Sequence, residues 1–340
     1  MKSFIYTRSV TGSLSKMINT FCSINNIQSP IESHYEINDR IPMTEWLRIL
    51  NYLDKNYQKQ DLIIALGKLS TADDIGILAY LCMSCENIRA VFESYLKYQK
   101  IFYDLTPFSL IETEQHYIFT WENPAYLDIG LHVKETLMAR NLNLTIFHQF
   151  INNLVSPYKI QIERIEFNYP RPSHAKIYEN FFDCYFVYEA KQNRLVFSQE
   201  SLKININKNT DISLKRILEK NADDLLTQFS EELNFKELVS RSILASIQDK
   251  SPDIEYTAKK IGISPRLLQY RLKNLGTSFS EEMSTIKKTL ALQYLENNQL
   301  SVSEVSELLA YKEQSSFNHA FKSWMGQSPN QWRQNRQLKP

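Results

Sequence analysis

Residues Gly262–Phe279 read GISPRLLQYRLKNLGTSF, and residues Leu308–Arg333 read LLAYKEQSSFNHAFKSWMGQSPNQWR. Laid over each other, with a few residues added in front, they are one pattern used twice. In the first copy Ala258 and Gly262 sit four apart, followed by Ser264-Pro265 and then Leu268, Leu272 and Leu275. In the second, Ser306 and Ala310 sit four apart, followed by Ser315 and then Phe317, Phe321 and Trp324. The small-residue pairs are offset by 48 residues and the apolar triads by 49, so the second turn is one residue longer. Each feature has a physical job. A small side chain at Ala258 or Ser306 lets a second helix cross close by, and Gly262 permits a tight turn with positive φ. Ser264 is a ready N-cap, and Pro265 stands at the first helical position, where its missing N–H does no harm. Gly276 and Gly326 lie just beyond the two helices, where helix-stopping glycines belong.

Advancing the second helix of each copy by about 100° per residue sorts its side chains. Leu268, Leu272 and Leu275 fall on one side, while Arg266, Gln269, Tyr270 and Lys273 fall on the other. In the later copy Phe317, Phe321 and Trp324 form the inner face, and Ser315, Ser316, Asn318, His319 and Lys322 the outer one. Neither outer face holds an acidic residue. Both carry donors that reach phosphates and base edges in a major groove. A pair of such helices in one unit fits successive major grooves, ~34 Å apart on one face of a duplex. Helical periodicity alone would suit ordinary surface helices of an all-α domain; the repetition of turn, triad and polar face favours DNA reading.

The rest of the chain is consistent with this. The formal net charge is only +1, but residues 251–340 hold 12 Lys and Arg against 8 Asp and Glu, leaving 27 against 30 for the first 250. A basic end behind a slightly acidic front is a modest sign of a nucleic-acid-facing tail. From Ile212 onward the signals are helical only: Phe235–Gln248 puts Leu238, Val239, Ser242, Ile243 and Ile247 on one side, and Glu281–Glu296 does so with Met283, Ile286, Leu290, Ala291 and Tyr294. The first two hundred residues mix periods. Ile75–Tyr98 reads as one or two buried helices, whereas Tyr117–Trp121, Ile160–Phe167 and Arg194–Phe197 have the β-branched and aromatic content of strands. The Asn-rich run Lys203–Asp211 ends this α+β part. Met1–Val10 shows no apolar h-region or small-residue cleavage site, so no signal peptide is expected. The apolar stretch near Ile75–Met83 is far short of a membrane span. Four scattered cysteines suit a reducing cytoplasm.

The segment Ile254–Arg333 resembles the DNA-binding domain of the AraC/XylS family of bacterial transcription regulators. Leu308–Arg333 carries the resemblance most clearly, with Phe317, Ala320, Phe321, Gly326, Pro329 and Arg333 in their expected places, and Gly262–Phe279 matches the first unit. More faintly, residues from about 20 to 200 resemble the arabinose-binding-type N-terminal domain of a subgroup. The carrying stretches are Ile75–Tyr98, Phe167–Pro172 (FNYPRP) and Asn193–Phe197 (NRLVF). That resemblance implies a small-molecule sensor, without making arabinose the ligand. The sequence departs from the family at Tyr270 and His319, where arginine is usual on the DNA-facing side, and at Ala310, where glycine is usual. Losing two potential bidentate guanine contacts, each worth ~1–3 kcal/mol of discrimination, implies an altered target sequence.

Other chemistry is poorly supplied. Cys82-Met83-Ser84-Cys85 is a CxxC, but Cys22 and Cys184 are distant and no histidine pair completes a zinc set, so buried thiols in an apolar helix are the plainer reading. His34, His116, His132, His148 and His174 are isolated. Neither a GxGxxG nor a GxxxxGK[ST] phosphate cradle occurs, and no G-x-S-x-G elbow. An alkyl-transfer repair enzyme fused to this kind of DNA-binding unit would need a metal-activated cysteine cluster at usable spacing.

The expectation is therefore a non-catalytic, sequence-specific transcription regulator with no cofactor. It has an α+β sensor-like domain over residues 1–205, a helical linker over 206–235, and an all-α domain over 236–340 with two helix-turn-helix units. Double-stranded DNA is the expected partner. The front domain is expected to hold a small-molecule effector or pair with a second copy as a homodimer; the alternative is control by a protein partner. Family resemblance tilts towards activation, which would add RNA polymerase as a partner.

Overall fold

A computed structural model describes residues 8–36, 39–124, 127, 132–206, 211–296 and 300–337. The reading of the first residues, Met1–Val10, therefore lies mostly outside the described residues, as do positions 207–210 of the Asn-rich run. The chain divides into two compact units, Met1–Ser230 and Glu231–Pro340.

The first unit is mixed. Its strands are β1 (Ser9–Thr11), β2 (Arg40–Pro42), β3 (Ser109–Glu112), β4 (His116–Trp121), β5 (Ile162–Glu166), β6 (Tyr185–Val187) and β7 (Asn193–Ser198). β1 and β2 form a small antiparallel pair, and the other five make one sheet in the order β3-β4-β7-β5-β6. β4 and β7 pair antiparallel in register from His116↔Ser198 to Trp121↔Asn193. β5 runs antiparallel to β7 with a shift between Ile162 and Arg164, and β6 runs parallel to β5. The three segments with strand-like sequence are thus the central strands. The four others are only three or four residues long, too short for alternation to be read.

The helices of this unit are α1 (Leu14–Ile24), α2 (Met43–Asn56), α3 (Leu62–Leu69), α4 (Ala72–Ile75), α5 (Ile77–Met83), α6 (Ile88–Phe102), α7 (Val133–Val155) and α8 (Ala175–Phe182). The apolar run from Ile75 is divided by Gly76, at φ +74, and again before α6, where the Asn87 side chain accepts from the Ala90 N–H at 3.0 Å. The core joins sheet to helices through rings: Phe147 of α7 lies 4.6 Å from Tyr95 and 5.7 Å from Phe119, centroid to centroid. Such aromatic contacts add to the area they bury. α3 comes close to α7 because Gly67 has no side chain; a Cβ there would sit 2.3 Å from the Thr145 methyl.

One 37-residue helix, α9 (Ile212–Gln248), runs through residues 212–235 of the expected linker and on through the helix expected after it. Its buried stripe near the end is Phe235, Val239, Ile243 and Ile247. Leu238, expected on that side, is 43% exposed. The i, i+4 row that begins at Phe235 fixes the face. The second unit continues with α10 (Ile254–Ile261), α11 (Pro265–Asn274), α12 (Phe279–Glu296), α13 (Val302–Leu308), α14 (Gln314–Met325) and α15 (Pro329–Gln337). No helix among the described residues is long and apolar enough to cross a membrane.

Candidate nucleic-acid interface

The second unit has two small cores, each under one helix-turn-helix. In the first, Ala258 of α10 and Leu268 and Leu272 of α11 are fully buried with Val239 and Ile243 of α9, and Leu275 is half-buried. In the second, Val305 of α13 and Phe317 and Phe321 of α14 are fully buried with Ala291 and Leu295 of α12. Trp324 is half-buried and its indole N–H donates to Ser284 Oγ at 2.8 Å. Helix α12 belongs to both cores: Met283 and Ile286 pack in the first, Ala291 and Leu295 in the second, and Leu290 in both.

The turns are built alike. Asp253 caps α10 by accepting from the Tyr256 N–H at 2.7 Å, and Ser264 caps α11 by accepting from Leu267 N–H at 3.2 Å with Pro265 next to it. α13 opens with a reciprocal box: Ser301 N–H donates to Glu304 at 2.7 Å and Glu304 N–H to Ser301 Oγ at 3.2 Å. Both first helices end on a left-handed residue, Gly262 at φ +80 and Ala310 at φ +54. The same two backbone bonds close each end: Ile263 N–H to Ala258 O and Gly262 N–H to Lys259 O, against Tyr311 N–H to Ser306 O and Ala310 N–H to Glu307 O. From the left-handed residue to the next N-cap is two residues in the first copy, Gly262 to Ser264, and three in the second, Ala310 to Glu313. The extra residue read from the sequence is in the turn.

With the inner faces fixed, the outer side chains follow. Arg266, Gln269, Tyr270 and Lys273 of α11 are exposed, as are Ser315, Ser316, His319 and Lys322 of α14. Asn318 is half-buried, and its Oδ1 has no hydrogen-bond partner among the described residues. Ser315 donates to Glu313 at 3.1 Å. Among the described residues Arg266, Lys273 and Lys322 make no ion pair, whereas Lys250 and Lys260 are held by Glu307 at 2.7 Å and Asp249 at 2.9 Å. The cations on the two outer faces are thus unclaimed by carboxylates among the described residues.

Two further cations near these helices have internal roles. The Arg271 guanidinium lies 3.7 Å from the Phe235 ring centroid, so it closes the first core. Its place three residues after Leu268 and four before Leu275, at the edge of the inner face, is the signal that separates it from Lys273. Lys287 of α12 is 8% exposed and lies 4.0 Å from the Tyr311 ring centroid; burial lowers its pKa to about 8. No pattern in the sequence marks it.

The other candidates are placed less informatively. Cys82 and Cys85 are both fully buried, and burial raises both thiols above their ordinary range. Among the described residues no three His, Cys, Asp or Glu side chains group as a metal site. His148 is packed against Phe181 and Phe182, while His34, His132 and His174 are exposed. The first unit also holds a cavity of about 520 Å³ beside α2, α3 and α7, which reaches His174.

Residues 32–205 match the family described as the arabinose-binding domain of AraC transcription regulator, N-terminal, and residues 257–335 match a helix-turn-helix domain family. The chain is 27% identical over 297 residues to the ornithine utilization regulator of Pseudomonas aeruginosa, covering 84% of each protein. It is 34% identical over 90 residues to the HTH-type transcriptional regulator VqsM of the same species, covering 26% of this chain and 28% of that one. Among solved structures it is similar to the transcriptional regulator CdpR from Pseudomonas aeruginosa, with a TM-score of 0.47 and 18% identity over 94% of this chain and 97% of that one.

Proposed function

This chain belongs to the AraC family of DNA-binding transcription regulators and has their arabinose-binding-type N-terminal domain, and on that premise we propose that α11 and α14 are the two helices that read the duplex. The contacts are assigned to Arg266, Gln269, Tyr270 and Lys273 on the first, and to Ser315, Ser316, Asn318, His319 and Lys322 on the second. One observation carries this assignment: both helices turn an apolar triad inward and present cations, Arg266, Lys273 and Lys322, that make no ion pair among the described residues. Residues 236–340 are assigned to DNA binding, 206–235 to a helical link, and 1–205 to effector binding or dimerisation. The regulator acts without catalysis, as an activator that engages RNA polymerase, and a small molecule in the front domain changes its affinity for DNA. That control needs only an effector with unequal affinity for two states. A pre-formed cavity in the front unit supports a small molecule over a protein partner as the signal.

The test is binding of the full chain to a duplex obtained by selection from random sequence. Affinity falls steeply as salt rises, since neutralised phosphates release counterions. Arg266→Ala and Lys322→Ala each weaken binding, and each reduces the salt slope by about 1 if the cation meets a phosphate. Wild-type affinity of both variants at moderate salt would remove the two outer faces from the interface.

A further inference from the structure

The cavity in the first unit has a built character. Its floor is apolar: Leu62, Ile63 and Met138 are buried beneath it. Its walls are aromatic, with Tyr57 from the end of α2, Tyr178 from α8 and Tyr169 from the chain between β5 and α8. The β5–α8 connection includes the FNYPRP stretch, whose Pro170 and Pro172 stiffen the wall beside Tyr169. Behind Tyr169, the buried Arg140 guanidinium lies 5.1 Å from the ring centroid and donates to Asn123 at 2.8 Å. At about 520 Å³ the space is within the range of ~300–1,000 Å³ that small-molecule sites occupy.

The mouth carries charge of unequal sign. Lys134 donates to Asp54, so these two neutralise one another. Lys59 has no carboxylate partner among the described residues; its Nζ lies 5.8 Å from the Tyr57 ring centroid. One cation is therefore left over where an apolar basin meets solvent. Tyr169 and Tyr178 are pushed upward by burial, so their phenols keep the proton and can donate.

We propose that this cavity binds a monocarboxylate with an aromatic or apolar body, its carboxylate held by Lys59 and its body on Leu62, Ile63 and Met138 between the tyrosines. The apolar body displaces water from the floor, and the single negative charge complements the surplus lysine. A dication would meet Lys59 and Lys134 as like charges, and a sugar would leave the apolar floor unmatched. That the ligand is also the effector rests on the regulatory reading above.

The experiment is calorimetric titration of the full-length chain with 3-phenylpropionate, its neutral amide 3-phenylpropionamide, and L-ornithine. The acid binds with a Kd below about 1 mM, and the amide binds at least about tenfold more weakly. Lys59→Gln, a change at an exposed position, weakens the acid by about tenfold and leaves the amide unchanged. Met138→Trp fills the floor and abolishes both; where it fails to fold, Lys59→Gln alone decides. Equal binding of acid and amide, an unchanged Lys59→Gln variant, preferential binding of ornithine, or no binding of the acid would each overturn the site. DNA affinity of the same preparation separates this from the regulatory reading. Acid binding that leaves DNA affinity unchanged supports the site and refutes its effector role. A DNA response to some other small molecule, without acid binding, retains effector control and overturns the site.

Discussion

Exchanging glycine and alanine in the two turns gives opposite outcomes in the two helix-turn-helix copies. Gly262 and Ala310 occupy the same left-handed position, at φ +80 and +54, and close their helices with the same pair of backbone bonds. An L-residue there costs roughly 1–2 kcal/mol that glycine avoids. Glycine in turn loses roughly 0.4–1 kcal/mol through the freer unfolded chain. For Gly262→Ala the new Cβ meets nothing within 4 Å, so no packing offsets the strain. Mid-range values then leave a loss of about 0.8 kcal/mol. For Ala310→Gly the strain is relieved, but a methyl half-buried against the first core is lost, which removes about 0.4 kcal/mol of the gain. The net is a stabilisation of about 0.4 kcal/mol. Native-state hydrogen exchange on the full chain reads both locally. Amides around Ile263 in Gly262→Ala lose about fourfold in protection, and those around Tyr311 in Ala310→Gly gain about twofold. If Ala310→Gly lowers protection as Gly262→Ala does, the second turn is not the left-handed closure described, and the equivalence of the two copies fails there.

Tyr270→Arg places the family's usual guanidinium on the outer face of α11; repeated selection then yields duplexes with guanine preferred at one added position, by about 1–3 kcal/mol. An unchanged selected sequence would remove position 270 from base contact. His148, lowered to about 4 first by burial and then by Lys159, gives the first unit an acid-sensitive stability. Between an ordinary imidazole value of about 6.5 and about 4 the unfolded chain binds more protons, so stability is full above the window and falls as pH drops through it, by up to about 3 kcal/mol. His148→Gln flattens that dependence in urea titrations between pH 7 and 4.5; an unaltered slope would assign it to other groups. Cys82 and Cys85, buried with raised pKa values, react with iodoacetamide at pH 8 only on unfolding. Rapid labelling of either in the native chain would contradict their burial.

The second unit was legible because its determinants are local. Ser264-Pro265, the triads and the glycines after them act over ten residues or fewer, and each fixes a cap, a face or a stop. Asn318 marks the limit of that reading: it lies one residue from Phe317, and whether such a flank is covered depends on neighbouring helices rather than on its own period. Lys287 shows the same limit, since only the fold brings Tyr311 beneath it. In the first unit β4, β5 and β7 were legible from their ring and β-branched content. β3, whose four residues are all exposed, has no inner face to leave a pattern. The cavity was not legible at all, because it is assembled from residues as far apart as Asp54 and Tyr178.

The sharing of α12 between the two cores constrains how a signal reaches DNA. To alter the spacing of α11 and α14, either Met283 and Ile286 must leave the first core or Ala291 and Leu295 the second. Opening a core around side chains of that size costs on the order of 2–5 kcal/mol. Coupling between an effector and a distant site is typically 1–3 kcal/mol. Core opening costs more than such coupling supplies, so α11 and α14, the helices proposed to read DNA, are expected to move as one body. On the proposed reading, an effector in the first unit would act by changing how often that body is available to DNA, and footprints of equal length with and without ligand are the expected outcome; a footprint that changes length on adding ligand would refute the rigid coupling.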